Sequence, residues 1–79
     1  MATLPADEDY AKAVLTIFRT RDVRPGQSLR ARQVSAEFLA GNMGRAAYYE
    51  AALRYAAERG WLTIELEMIR LTKAGFAEM

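Results

Sequence analysis

Arginine is the residue type with the clearest chemical use in this sequence. Nine of the eleven basic residues are arginine, whose planar guanidinium forms paired hydrogen bonds with phosphate oxygens better than the lysine ammonium does. From residue 19 to residue 54, seven arginines face three acidic residues, a local charge of +4 in a chain of net charge +1. The seven are Arg19, Arg21, Arg24, Arg30, Arg32, Arg45 and Arg54. This segment suits a polyanion, although the same arginines could simply solvate helix faces.

Catalytic chemistry has little support, because the chain contains neither histidine nor cysteine. This excludes Ser-His and Cys-His nucleophiles, disulfides and most zinc sites. Asp7 and Asp9 already have a role in the first turn of a predicted helix, and no glycine-rich phosphate loop occurs. We therefore expect no enzymatic activity, no metal and no cofactor.

The length of 79 residues predicts one domain, 1–79, in which residues 1–6 are flexible. The 52% hydrophobic content provides a core, but small cores supply only about 3–5 kcal/mol, so self-association is an expected source of further stability. No apolar run approaches the roughly 20 residues that cross a bilayer. The acidic start "MATLPADEDY" does not fit a secretory signal. We expect a cytoplasmic protein without membrane contact.

Two helices are predicted in the first half of the chain. The first runs from residue 7 to about residue 22, with an acidic first turn, and Pro25 and Gly26 end it. Its apolar stripe is Tyr10, Val14, Ile17 and Phe18. The second covers about 30–40, with a stripe of Ala31, Val34, Phe38 and Leu39. Ahead of it, Ser28 either caps the helix or forms a short strand with Leu29.

A third helix is predicted over about 44–59, after a turn from Gly41 to Gly44. Its expected buried face is Tyr49, Leu53, Ala56 and Ala57. Because neighbouring residues on a helix cannot share one buried face, Tyr49 is expected in the core and Tyr48 at the surface or an interface. Gly60 ends the helix as a C-terminal cap.

Two strands are predicted after Gly60, because the apolar positions change parity. They occupy even positions from 62 to 68 and then odd positions 69 and 71; one straight strand cannot bury both sets. A hairpin with a four-residue loop, Glu65 to Met68, removes the conflict. Its predicted pairs are Leu62 with Leu71, Thr63 with Arg70 and Ile64 with Ile69. Thr72 is expected to cap a last helical turn that returns Phe76 to the core.

In this order of elements the chain resembles the winged helix-turn-helix domains of bacterial transcriptional regulators. The resemblance lies in "LRARQVSAEFL" for the second helix, "GNMGRAAYYEAALRYAAERGWL" for the third helix and the first wing strand, and "IRLTKAG" for the last strand. It covers about residues 7–76. The expected fold is mainly α with a small antiparallel β-hairpin (α+β), a three-helix core plus a short wing.

The resemblance implies double-stranded DNA as the partner and transcriptional regulation as the function. The third helix would enter the major groove, while the second helix supports it across the backbone. Arg45 and Tyr48 are the candidate groove contacts: Arg45 could bind a guanine edge or a phosphate, and Tyr48 a phosphate or a thymine methyl group. Arg30, Arg32 and Arg54 would contact phosphates. The alternatives are that Arg45 sits near a carboxylate and that Tyr48 is a dimer contact or a plain surface residue.

Two features depart from that family and favour a different partner. The third helix is rich in alanine, and the wing tip "ELEM" carries Glu65 and Glu67 where wings that hold DNA carry basic residues. Leu66 and Met68 at this tip are expected to contact protein, either in a homodimer or with another partner. The alternative function is a winged-helix protein interaction module without sequence-specific DNA binding.

Overall fold

A computed structural model describes residues 7–41 and 45–79 of the chain. These residues form an α+β arrangement of four helices and three strands. In chain order the elements are α1 (Asp7–Thr20), β1 (Ser28–Arg30), α2 (Ala31–Ala40), α3 (Ala46–Glu58), β2 (Leu62–Ile64), β3 (Met68–Leu71) and α4 (Lys73–Ala77). The predicted flexibility of residues 1–6 and most of the predicted turn at 41–44 lie outside the described residues.

The three strands form one antiparallel sheet in the order β1-β3-β2. The register predicted from the parity change is confirmed: β2 and β3 pair Leu62 with Leu71, Thr63 with Arg70 and Ile64 with Ile69. On the other side of β3, β1 places Leu29 opposite Ile69. Ser28 therefore belongs to a strand, which decides between the two alternatives left open by the sequence.

The hairpin loop is one residue shorter than predicted. Met68 is part of β3 because β1 extends alongside it and places Arg30 opposite Met68. The Glu65 amide donates to the Met68 carbonyl oxygen at 2.8 Å, which closes the turn around Leu66 and Glu67. The loop is thus residues 65–67, and its apolar tip residue is Leu66.

The core lies where α1, α2 and α3 meet one another and the inner face of the sheet. The first helix supplies its largest share: Tyr10, Ala11, Val14, Leu15 and Phe18 are all buried. From β3, Ile69 and Leu71 are fully buried. Ile17 is only half-buried, so the buried stripe of α1 is turned toward Ala11 and Leu15 relative to the predicted one.

Three residues predicted to be in the core are exposed instead. Leu39 and Phe76 are 42% and 44% exposed, and Ala57 is exposed as well. The buried face of α3 is centred on Ala52 and Ala56, small residues that let α1 pack closely against it. Of the predicted face, Ala56 is buried and Tyr49 and Leu53 are partly buried against the core, so only Ala57 lies off the observed face.

The short helix α4 is oriented by its contact with the start of the hairpin. Thr72 caps it as predicted, since its hydroxyl oxygen accepts a hydrogen bond from the Gly75 amide at 3.0 Å. Gly75 is the buried residue of this helix, and a Cβ there would overlap the carbonyl oxygen of Trp61. Because Gly75 faces inward, its neighbour Phe76 points away from the core.

Candidate nucleic-acid interface

Arg30 and Arg32 lie together where β1 passes into α2. Arg30 is the last residue of the strand and the N-cap of the helix, and no acidic residue lies in the first turn that follows. Both side chains are exposed. They line one wall of an open groove of about 420 Å³, whose other wall is the hairpin tip with Leu66 and Met68.

The hairpin tip is held against the start of α2 by the backbone. The Ala31 amide donates to the Glu67 carbonyl oxygen at 2.9 Å. The Tyr49 hydroxyl donates to the Ala31 carbonyl oxygen at 3.3 Å and so connects α3 to the same point. Ala31 therefore fixes the relative positions of α2, α3 and the loop at residues 65–67.

Leu66 and Met68, the predicted protein-contact residues, differ in their exposure. Leu66 is 98% exposed, whereas Met68 is half-buried. The structure brings both of them to the groove that contains Arg30 and Arg32. The predicted protein-contact and phosphate-contact residues thus share one surface, and Glu67 is the acidic residue that lines it.

Arg45 precedes α3 as its N-cap and is exposed, but its side chain does not cap the helix. Tyr48 is half-buried and stacks against Tyr10 of α1, with ring centroids 4.4 Å apart and the ring planes at 9°. One face of the Tyr48 ring is therefore covered within the molecule. Neither Arg45 nor Arg54 lines the groove at Arg30 and Arg32.

The exposed face of α3 is poor in groups that could read DNA bases. Its exposed residues are Ala46, Ala47, Glu50, Arg54, Ala57 and Glu58. Because residues four apart are neighbours on a helix surface, Glu50 and Glu58 flank Arg54 in one row. Glu58 is not among the site residues predicted from the sequence. Its spacing of four residues from Arg54 indicates that the two side chains are neighbours on the helix surface.

The charged side chains fall into paired and unpaired sets. Arg21 binds Glu37 at 3.0 Å, Arg70 binds Glu65 at 3.2 Å and Lys12 lies 3.8 Å from Glu8. Within residues 7–41 and 45–79, no carboxylate lies within 4.0 Å of the guanidinium of the four arginines predicted to contact DNA, which are Arg30, Arg32, Arg45 and Arg54. The carboxylates of Glu8, Glu37 and Glu65 are therefore compensated, and no ion pair among the described residues occupies these four arginines.

In the part of the chain that the structure describes, no cluster of three or more acidic side chains is arranged to hold a metal ion. No helix there has the length and apolar character that crossing a membrane requires. The chain matches no model of a known protein family, and no curated protein matches it significantly.

Proposed function

We propose that this chain is a winged helix-turn-helix domain that binds double-stranded DNA and serves as a transcriptional regulator in the bacterial cytoplasm. The order α1-β1-α2-α3-β2-β3, with a hairpin directly after the third helix, supports the fold assignment. In such a domain α3 enters the major groove, and the β2–β3 hairpin is the wing beside it.

The observation that carries this proposal is that arginines without an ion pair among the described residues lie at the starts of α2 and α3, with Arg54 farther along α3. A guanidinium that forms no ion pair within the molecule does not have to break one before it binds a phosphate. Two of these arginines lie at the start of α2, and Arg45 lies at the start of α3. Helix starts present backbone amides to an anion, so arginines at these points are well placed for phosphate contacts.

Phosphate contacts, not base contacts, would supply most of the affinity. The outward face of α3 carries alanines and the row of Glu50, Arg54 and Glu58, which leaves one guanidinium to contact base edges in the major groove. We therefore expect binding that depends steeply on salt and weakly on DNA sequence.

A salt titration of binding to random duplex DNA tests the proposal. Arg32→Ala and Arg45→Ala should each lower the magnitude of the slope of log K against log salt by about 0.9, the value for one phosphate contact. Arg24→Ala is the matched control, because Arg24 is an exposed arginine in a different groove, beside Asp22 and Phe76. Absence of binding at low salt, or an equal effect of all three substitutions, would contradict the proposal.

A protein interaction module is the second candidate, and the exposed tip at Leu66 favours it. An apolar side chain with 98% exposure at the end of a hairpin can anchor a protein partner. For this function, replacing Leu66 and Met68 with serine should abolish partner capture while duplex DNA binding is undetectable even at low salt. Retained capture by the double variant would exclude this tip as the contact.

A further inference from the structure

The outer edge of β2 carries backbone groups that have no hydrogen-bond partner among the described residues. Hydrogen bonds from Glu65 N to Met68 O and from Thr72 N to Trp61 O mark two bonded pairs of the β2–β3 ladder. Because bonded and non-bonded pairs alternate in an antiparallel ladder, Thr63 is bonded to β3. The amide and carbonyl groups of Leu62 and Ile64 therefore point away from β3, toward the free edge.

The free edge of β1 lies on the opposite side of the sheet and, unlike the edge of β2, carries a charged residue. There the outward-pointing backbone groups belong to Ser28 and Arg30, since the Leu71 amide bonds to Gln27 and the Ala31 amide to Glu67. A charged residue such as Arg30 protects an edge strand from pairing with another strand. The strand β2, with the sequence Leu-Thr-Ile, has no charged residue and no proline.

Exposed apolar side chains lie along and beyond the β2 edge. Ile64 is 44% exposed although its partner Ile69 is completely buried. Leu66, two residues farther along, is 98% exposed. The helical layer therefore leaves the end of β2 uncovered, at the point where its backbone groups are also unpaired.

We propose that β2 pairs antiparallel with β2 of a second copy of this chain, about a two-fold axis at Thr63, to form a continuous six-stranded sheet. In this register Leu62 of each copy lies opposite Ile64 of the other. The outward amide and carbonyl groups of both residues are then satisfied by four hydrogen bonds. Thr63 faces its own equivalent on the outer face, a pairing that is favourable in antiparallel sheets.

The charges of the strand are compatible with this self-pairing. Glu65, the acidic residue nearest to the strand, is bound by Arg70 of its own chain at 3.2 Å. The two-fold axis places Glu65 opposite Trp61 of the other copy, so Glu65 does not face a second carboxylate. It also brings Leu66 next to Gly60 of the other copy, where no side chain obstructs it. This inference is independent of DNA binding.

The test is the concentration dependence of molecular mass, measured by sedimentation equilibrium. The wild-type chain should change from 8.9 kDa toward twice that mass as its concentration rises. Ile64→Pro removes an outward amide and leaves the β2–β3 hydrogen bonds in place, so it should raise the dissociation constant about tenfold or more. Ser28→Pro removes an outward amide from the β1 edge and should leave the dissociation constant unchanged.

Backbone amide exchange provides a second measurement that does not depend on the proline variant being folded. The Leu62 and Ile64 amides should exchange slowly in concentrated wild-type samples and rapidly in dilute ones. Leu66→Ser should weaken the dimer without a change in the far-ultraviolet circular dichroism spectrum. A wild-type chain that stays monomeric at millimolar concentration, or a dimer in which these two amides remain unprotected, would overturn the proposal.

Discussion

The phenol rings of Tyr10 and Tyr48 stack face to face, with centroids 4.4 Å apart, and join α1 to α3 near the N-terminal ends of both helices. Tyr10 is 7% exposed and Tyr48 half-buried. This contact gives Tyr48 a structural role in packing the two helices. The contribution of Tyr48 to stability can therefore be measured without any DNA present.

Replacement of Tyr48 by alanine should lower the free energy of unfolding by about 2 kcal/mol. The estimate combines the loss of a ring stack, about 0.5–1.5 kcal/mol, with the loss of partly buried apolar area. Tyr48→Phe keeps the stacked ring and should restore most of the stability. Urea denaturation followed by circular dichroism measures both variants, and equal stability of Tyr48→Ala and wild type would contradict the structural role.

Alkaline pH should destabilise the fold through Tyr10 and Tyr49. Burial, then the adjacent Tyr48 hydroxyl, then the charges of Asp7 and Asp9 raise the pKa of Tyr10 above its ordinary value of 10.0. Burial likewise raises the pKa of Tyr49. Above pH 10 the unfolded chain releases these protons before the folded chain does, so stability is complete below pH 10 and falls as the pH rises through the two folded-state values.

This pH dependence can be assigned with a double variant, Tyr10→Phe with Tyr49→Phe. The variant lacks both hydroxyls, so its free energy of unfolding should fall less steeply above about pH 10 than that of the wild type. Parallel curves for the two proteins would show that neither hydroxyl is responsible.

Glu50→Gln should strengthen binding to duplex DNA, roughly two- to fivefold at low salt, because it removes a negative charge from the exposed face of α3. Glu37→Gln is the control, since that carboxylate is already bound by Arg21 at 3.0 Å, and it should change affinity less. Fluorescence anisotropy with a labelled duplex measures both. Weaker binding by Glu50→Gln would mean instead that the carboxylate accepts a hydrogen bond from a base.

Gly75→Ala should lower the free energy of unfolding by about 1–3 kcal/mol. The new Cβ would overlap the Trp61 carbonyl oxygen, so α4 would have to shift. Gly41→Ala is the matched substitution, since a Cβ there meets nothing closer than 3.4 Å. Thermal unfolding of both variants distinguishes the two positions. A Gly75→Ala protein as stable as wild type would show that α4 contributes little to the folded state.

The register of the hairpin could be predicted from the sequence, and the buried face of α3 only in part, since Ala56 is buried but Ala57 is exposed. Alternation in a strand is strict, so a change of parity at Ile69 fixes the register. The length of the loop also depends on β1, whose Arg30 pairs with Met68. A helix with alanine on several sides has no such constraint, and its rotation is decided by its neighbour. Here α1 selects Ala52 and Ala56 as the face it packs against.

The exposure of Arg30 and Arg32 agrees with the sequence prediction, and their contact with phosphate stays a prediction. The ion pair of Arg21 with Glu37 could not be predicted, because it joins residues that are far apart in the sequence. The same limit applies to Tyr48, whose stack depends on a residue of α1. Contacts between segments that are distant in the sequence determine which charged side chains are already paired. A local sequence pattern does not reveal these contacts.

The pairing of Leu29 with Ile69 has a consequence for synthesis of the chain on the ribosome. The strand β1 emerges early, between two helices, and its only hydrogen-bonded neighbour among the described residues is β3. Ile69 and Leu71 of that late strand also complete the core. Folding therefore cannot finish vectorially from the N-terminus, and the nascent helices stay without their sheet until the segment through Leu71 has left the exit tunnel.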